Sequence, residues 1–405
     1  MGSQAANRLV FSKSGLLPME EMLEVEKKYK KLVIGIPKEN HEVEGRVPLT
    51  PEAVEILASQ GHEIILESSA GHSANYSDRD YSEKGALLIK DRNSVFQADI
   101  VLKIAPPTQE EIHALRGQQI LFSSLGITHY DAEYIKSLMA KKVTAFAFEN
   151  IKDSDGYYPV VRSMNAISGS TSILIAAEYL SNARGGKGVL LGGIAGITPT
   201  EVVVVGAGTA AEYAIRAAHG LGAVVKVFDS SIQRLIQLQN ILGKPLQTSV
   251  FHPQVLAKAL KSADVLIGAR ETFENNIMFY VTDEMVRGMK KGSVIVDLSL
   301  MYGGCIESSE YRSLSDPVYT KFGVIHYAIP NLPARVSRTS SIALSNIFLP
   351  ILNQIAQSGG INEQLKTDIG LRHGVYIFNG ILTNRHIARQ LDIPSSDIDL
   401  LMAAF

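Results

Sequence analysis

A run of four valines leads directly into a glycine-rich turn near the middle of the chain. The valines are residues 202–205, and the chain continues as Gly206-Ala-Gly208-Thr-Ala-Ala211 into a stretch that favours a helix. A strand, turn and helix of this kind predict a site for the phosphates of a dinucleotide, because Gly206 permits a tight turn and Gly208 lets a pyrophosphate approach the backbone. Ala211 fits the third position, where only close helix–strand packing is needed. The alternative is a glycine-rich turn of another α/β fold.

The next predicted strand supports the same interpretation. It ends at Asp229, 23 residues after Gly206, where a carboxylate accepts hydrogen bonds from ribose hydroxyls and repels a 2′-phosphate. This favours NAD over NADP, although the nearby Arg234 would weaken the preference. The helix N-terminus offers free N–H groups to the phosphates. The predicted cofactor-binding residues of this region are Gly206, Gly208, Thr209, Ala210, Asp229, Arg234 and Gly268, the last of which ends a later strand.

The composition excludes several classes of partner. The 405 residues carry a formal net charge of −2, so no basic excess points to nucleic acid or to a membrane surface. No apolar stretch approaches the roughly 18 residues that span a bilayer. Cys305 is the one cysteine, which excludes an internal disulfide and a cysteine-based metal cluster. We therefore expect a cytoplasmic protein with no metal site, no nucleic-acid partner and no membrane partner.

Strand and helix patterns alternate along most of the chain. The predicted strands are residues 32–36, 62–66, 100–104, 119–122 and 143–148, and then 202–205, 224–228, 265–267, 294–297 and 324–327. Two long helical tracts, 164–182 and 340–357, join the two groups, and the second is expected to kink near Pro350. The last 45 or so residues are expected to be helix and loop packed on the first group.

The predicted fold class is α/β, with two doubly wound parallel-sheet domains, because strands that alternate with helices form parallel sheets covered on both faces. The second is a Rossmann dinucleotide-binding domain inserted into the first, and a cleft lies between them. We place an N-terminal arm and charged helix at residues 1–31, the substrate domain at 32–160 and 338–405, and the NAD-binding domain at 161–337.

Several segments resemble the alanine dehydrogenase / pyridine nucleotide transhydrogenase family. They are residues 35–61, which contain Arg46, residues 202–229, residues 303–307, and residues 328–340, which contain Asn331. The resemblance covers residues 32–390 approximately and implies the inserted two-domain fold. Because the chain has no membrane part, it looks more like the soluble dehydrogenase, which interconverts L-alanine, NAD and water with pyruvate, ammonium and NADH.

The resemblance also implies roles for single residues. Arg46 matches the family's carboxylate-binding arginine, whose guanidinium grips a carboxylate with two hydrogen bonds. Asn331 is expected to contact the cofactor. The family's substrate lysine, acid/base histidine and catalytic-site aspartate match Ala105, Gly126 and Met301. Three ionisable groups are therefore expected to be missing together.

Three other residues are candidates to replace the missing groups. Lys103 lies two residues before Ala105, so strand alternation places both on one face. His129 follows position 126 in a loop, and Tyr302 carries a titratable hydroxyl beside position 301. The alternatives are a lysine that reaches to solvent, an ordinary loop histidine and a packed tyrosine.

Three functions remain open at this point. The first is an NAD-dependent dehydrogenase of alanine or of a related small amino or keto acid. The second is an NAD(H)-binding protein that has lost catalysis. The third is a related reaction on a bulkier partner, as in saccharopine-forming enzymes. For each function we expect a homo-oligomer, a dimer or a hexamer, because most oligomers of single-chain proteins are closed and symmetric.

Overall fold

The computed structural model of the chain describes residues 29–125, 131–270 and 280–404. The helix predicted within residues 1–31 lies almost wholly outside the described residues, and Tyr29 to Lys31 are irregular. Among the described residues, none of the helices combines the length and the apolarity that crossing a bilayer requires.

The first part of the chain alternates strands and helices. Its strands are β1 (Val33–Ile36), β2 (Glu63–Glu67), β3 (Ala86–Ile89), β4 (Ile100–Leu102), β5 (Ile120–Ser123) and β6 (Thr144–Ala147). Its helices are α1 (Pro51–Ser59), α2 (Asp78–Glu83), α3 (Arg92–Val95), α4 (Gln109–Ala114), α5 (Ala132–Ala140) and the long α6 (Pro159–Leu180). The sequence predicted each of these strands except β3, which is a short strand with two half-buried residues.

The second part repeats the alternation. Its strands are β7 (Glu201–Val205), β8 (Val224–Asp229), β9 (Gln247–Val250), β10 (Val265–Gly268), β11 (Val294–Asp297), β12 (Val318–Lys321) and β13 (Val324–Tyr327). Its helices are α7 (Thr209–Gly220), α8 (Ile232–Leu242), α9 (Pro253–Ser262) and α10 (Asp283–Arg287). The strand order is β12-β13-β11-β10-β7-β8-β9. Without β12 this is the Rossmann order, in which the chain direction across the sheet reverses between β7 and β10.

The chain then returns to the first sheet. The returning elements are α11 (Ser337–Gln357), α12 (Ile361–Thr367), α13 (Ile369–Arg372), β14 (Val375–Phe378), β15 (Ile381–Leu382), α14 (Arg385–Leu391) and α15 (Ile398–Ala404). The completed sheet has the order β15-β14-β6-β5-β4-β1-β2-β3. The prediction that the last 45 or so residues contain only helix and loop is wrong, because β14 pairs antiparallel with β6. Helix α11 continues through Pro350 as one element.

The α/β class with two sheets is confirmed, but both sheets are mixed. β14 and β15 add antiparallel strands to one edge of the first sheet, and β12 adds one to the second. An antiparallel edge strand on a mainly parallel sheet is common in doubly wound folds. The predicted domain boundaries at residues 160 and 337 stay predictions.

The valine run is explained by burial on both faces of the second sheet. Val202 and Val204 join the apolar cluster that includes α6 and α7, and Val203 and Val205 join the cluster on the opposite face. Successive side chains of a strand point to opposite faces, so a strand covered on both sides is apolar at every position.

Helix α6 packs closely on α7. A Cβ atom at Gly169 of α6 would overlap the carbonyl oxygen of Ala210 in the first turn of α7. Helix α6 also contributes Val160 and Met164 to the core of the first sheet and Ile173 to the core of the second. One helix therefore contributes to both cores.

We expect Gly169→Ala to lower the free energy of unfolding by about 1–3 kcal/mol, because the added methyl group overpacks the α6–α7 contact. Urea denaturation measures the change. The control is Gly220→Ala, also in a helix, where a Cβ atom has no neighbour within 4 Å. That variant should keep or gain stability, since alanine favours helices over glycine. Equal losses in the two variants would show that the α6–α7 contact is not limiting.

Candidate active site

The carboxyl ends of the two sheets face each other. Asn331, in the segment that follows β13, donates through Nδ2 to Oε2 of Glu44 at 2.8 Å and to the carbonyl of Val43 at 3.2 Å. Val43 and Glu44 lie in the loop after β1. Loops at the carboxyl ends of parallel strands build the ligand sites of open α/β sheets. The contact therefore places two such sets of loops around one cleft.

The glycine turn has the geometry that a dinucleotide requires. Gly206 has a φ of +116°, and a Cβ atom there would overlap the carbonyl of Ala269 after β10. Gly208 is the N-cap of α7, and Thr209 and Ala210 begin the helix. The first N–H groups of a helix have no partner within it and bind phosphate well. This turn lies at the point where the strand order reverses.

The other predicted cofactor residues differ in what surrounds them. Asp229 is buried at the end of β8 and accepts a hydrogen bond from the backbone N of Ser231 at 2.8 Å. Arg234 is exposed in the first turn of α8. A Cβ atom at Gly268 would lie 2.7 Å from Oδ1 of Asp297, so packing explains this glycine. Burial raises the pKa of Asp297, although the hydroxyl groups of Ser299 and Ser309 oppose the rise.

Arg46 is held at the cleft by a carboxylate that the sequence interpretation missed. Its Nε donates to Oε1 of Glu44 at 2.7 Å, and its Nη2 donates to Oε2 at 2.6 Å. Its Nη1 faces the sulfur of Met164 at 3.2 Å, a weak acceptor. Burial alone would raise the pKa of Glu44, but Arg46 and Asn331 together lower it. The ion pair with Glu44 therefore fixes the guanidinium of Arg46.

A sequence signal for Glu44 did exist. It lies two residues before Arg46, and a buried arginine needs a nearby acid because an unpaired buried charge is costly. Met164 gave no such signal, because its contact with Arg46 spans 118 residues of the chain.

Lys103 is buried in ion pairs. Only 2% of its surface is exposed, and its Nζ lies 3.4 Å from Glu39 and 3.1 Å from Glu111. The same nitrogen donates to the carbonyl of Pro106 at 3.2 Å. Burial raises the pKa of Glu39 although Lys103 opposes the rise, whereas Lys103 and other donors lower the pKa of Glu111 against its burial. The ammonium group of Lys103 thus contacts three acceptors. The alternative that Lys103 reaches to solvent is wrong.

The other catalytic candidates, and the positions that match the family's missing groups, lie in three segments. Gly126 and His129 fall outside the described residues. Ala105 donates its backbone N–H to Oε1 of Glu39 at 3.2 Å. Met301 is 54% exposed in the short 3-10 helix Leu300–Tyr302. Tyr302 ends that helix, and its side chain also lies outside the described structure.

These features define a class: a two-domain α/β protein with a dinucleotide-binding domain that faces an arginine-bearing domain. The family model for the alanine dehydrogenase/PNT N-terminal domain matches residues 35–168, and the model for the C-terminal domain matches residues 172–385. The chain belongs to the alanine dehydrogenase/PNT family. Members of this family are NAD-dependent, and Gly206, Gly208 and Asp229 are residues that fit that cofactor.

Individual relatives agree with the family assignment. The alanine dehydrogenase of Staphylococcus saprophyticus is 36% identical over 369 residues, which are 91% of this chain and 99% of that protein. The alanine dehydrogenase of Bacillus subtilis is 37% identical over 361 residues, 89% of this chain and 95% of that protein.

Two solved structures share the fold. A structure of L-alanine dehydrogenase has a TM-score of 0.81 and 33% identity, and the match covers 88% of this chain and 98% of that one. A transhydrogenase from Sinorhizobium meliloti has a TM-score of 0.71 with 24% identity over 87% of this chain and 99% of that one. The second match supports the fold alone.

We expect Gly206→Ala to weaken NADH binding about tenfold or more, because a side chain there is strained by the positive φ and overlaps Ala269. Fluorescence titration with NADH measures the change. Gly196→Ala is the control: Gly196 has a φ of +84° but no atom within 4 Å of a Cβ, so it tests the strain without the overlap. If both variants bind NADH as the unchanged protein does, the turn is not the phosphate site.

Proposed function

We propose that this protein is an NAD-dependent oxidoreductase of the alanine dehydrogenase type. It interconverts L-alanine, NAD and water with pyruvate, ammonium and NADH. The observation that carries the proposal is Arg46, whose Nη1 faces only a weak acceptor among the described residues and which lies where the two sheets meet. A guanidinium in this position suits the carboxylate that alanine and pyruvate share.

In this proposal, the chain's own residues bind and orient the substrate. Nη1 of Arg46 donates to the substrate carboxylate, and Glu44 holds the guanidinium still while it does so. The fixed carboxylate directs the Cα–H bond of alanine toward the second domain, where NAD, when bound, accepts a hydride. Asp229 accepts hydrogen bonds from the ribose, and the first turn of α7 holds the phosphates.

The acid/base groups of this protein are proposed to differ from those that the family resemblance implies. Ala105 and Met301 carry no titratable side chain, and Lys103 is occupied by Glu39 and Glu111. Loss of a general acid/base costs roughly 100- to 10,000-fold in rate. These observations favour a second candidate function, an NAD(H)-binding family member that turns alanine over poorly or acts on another amino or keto acid.

The discriminating experiment measures NADH formation from L-alanine at alkaline pH, with NADH binding measured on the same sample. We expect turnover that Arg46→Lys lowers about tenfold or more, chiefly through KM, because lysine cannot keep two parallel hydrogen bonds to Glu44 while it also donates to the substrate carboxylate. Arg184→Lys is the control, since Arg184 is a partly exposed arginine paired with Glu178. Binding of NADH with no turnover of alanine would overturn the first function and favour the second.

Cofactor preference provides a further test. We expect Asp229→Ser to raise the ratio of NADPH to NADH affinity about tenfold or more, because the variant removes both the ribose contact and the repulsion of a 2′-phosphate. Arg234→Ala in the same background should reduce that gain, since Arg234 begins α8 beside the site. A ratio that Asp229→Ser leaves unchanged would show that Asp229 does not face the ribose.

Assembly and location are proposals of the same kind. A homo-oligomer fits the usual symmetry of single-chain assemblies. A cytoplasmic location fits a chain whose one cysteine, Cys305, is buried as a free thiol.

A further inference from the structure

Glu44 joins Arg46 to the dinucleotide-binding domain. Its Oε1 accepts hydrogen bonds from the backbone N of Arg46 at 3.0 Å and from Nε at 2.7 Å. Its Oε2 accepts from Nη2 of Arg46 at 2.6 Å and from Nδ2 of Asn331 at 2.8 Å. The carboxylate is 3% exposed. One buried group thus fixes the guanidinium and also holds the segment that follows β13.

A second connection between the sites runs along α6. Nη1 of Arg46 lies on the sulfur of Met164, and Gly169, five residues further along α6, packs on Ala210 at the start of α7. Because α6 is one continuous helix, it links the contact with Arg46 to the phosphate-binding end of α7. Arg46 therefore contacts α6 directly and is joined through Glu44 to the segment that follows β13.

We propose that Glu44 is a positioning residue that couples the dinucleotide site to the substrate carboxylate site through Asn331. The inference rests on the proposed function, since it takes Arg46 as the carboxylate-binding group. When NADH holds the second domain against the first, Asn331 restrains Glu44, and Glu44 restrains Arg46. When the cleft opens, the bond from Asn331 breaks, and Glu44 and Arg46 are free to change rotamer together.

Two physical consequences follow. The bond between Asn331 and Glu44 is charge-assisted, because Arg46 and Asn331 keep Glu44 ionised, and such bonds are stronger than neutral ones. Binding of the two ligands is also reciprocal: if NADH raises the affinity for the keto acid by some factor, the keto acid raises the affinity for NADH by the same factor.

The test measures pyruvate affinity with and without saturating NADH, in the absence of ammonium, so that no amine is available for turnover. Calorimetric titration gives the ratio of the two affinities. We expect a ratio of about 5 to 150 for the unchanged protein. Asn331→Asp places a second carboxylate against Glu44 and should bring the ratio to within about twofold of one.

A neutral variant separates loss of the hydrogen bond from charge repulsion. Asn331→Ala removes the donor to Glu44 without adding a carboxylate, and it should also bring the ratio to within about twofold of one. The control is Arg338→Ala, which removes a hydrogen bond from the start of α11 to the carbonyl of Asn75 and does not touch Arg46. It should keep the ratio of the unchanged protein.

The outcomes distinguish the two proposals. If pyruvate does not bind even with NADH present, the proposed function fails and the coupling fails with it. If pyruvate binds but the ratio of the unchanged protein is one, the coupling alone is overturned. The coupling is also overturned if Asn331→Asp or Asn331→Ala keeps the ratio, or if Arg338→Ala loses it to the same extent.

Discussion

The close packing of α6 on α7 is the constraint on which the arrangement of the two sheets depends. It requires glycine at position 169, because any side chain there would overlap the backbone of Ala210. The same helix begins in the core of the first sheet with Val160 and Met164 and ends in the core of the second. The start of α7, which fits a dinucleotide, and Arg46 therefore both contact one continuous helix.

Buried charge shapes the first domain's side of the cleft. Lys103 lies between Glu39 and Glu111, and Glu111 also pairs with Arg92. Removing one partner of such a group leaves an uncompensated charge, which is strongly destabilising. The ion pairs of Lys103 with Glu39 and Glu111 therefore stabilise the loop after β4. Arg46 differs, because among the described residues its Nη1 faces only the sulfur of Met164 and keeps a donor for a ligand.

The sequence predicted the elements that local chemistry determines. The valine run, Gly206 and the acid at position 229 follow from rules of turn geometry and strand burial. In the structure the valines form β7, Gly206 follows β7, and Asp229 ends β8. Strands β3 and β9 were missed because they are short and partly exposed. β14 was missed because it pairs with β6, more than 200 residues earlier in the chain. β15 was missed because it has only two residues, which pair with β14.

The site was harder to predict than the fold because its contacts join distant segments. Lys103 gains its partners from the loop after β1 and from α4, which no local pattern reveals. Asn331 was expected to contact the cofactor, and the structure places its amide on Glu44. Its cofactor contact stays a prediction.

The most direct test of the account is a crystal structure with NADH and pyruvate bound together. We predict that the pyruvate carboxylate lies within hydrogen-bond distance of Nη1 of Arg46, and that Glu44 still accepts hydrogen bonds from both Arg46 and Asn331. A pyruvate bound elsewhere, with Arg46 still facing only Glu44 and Met164, would contradict it.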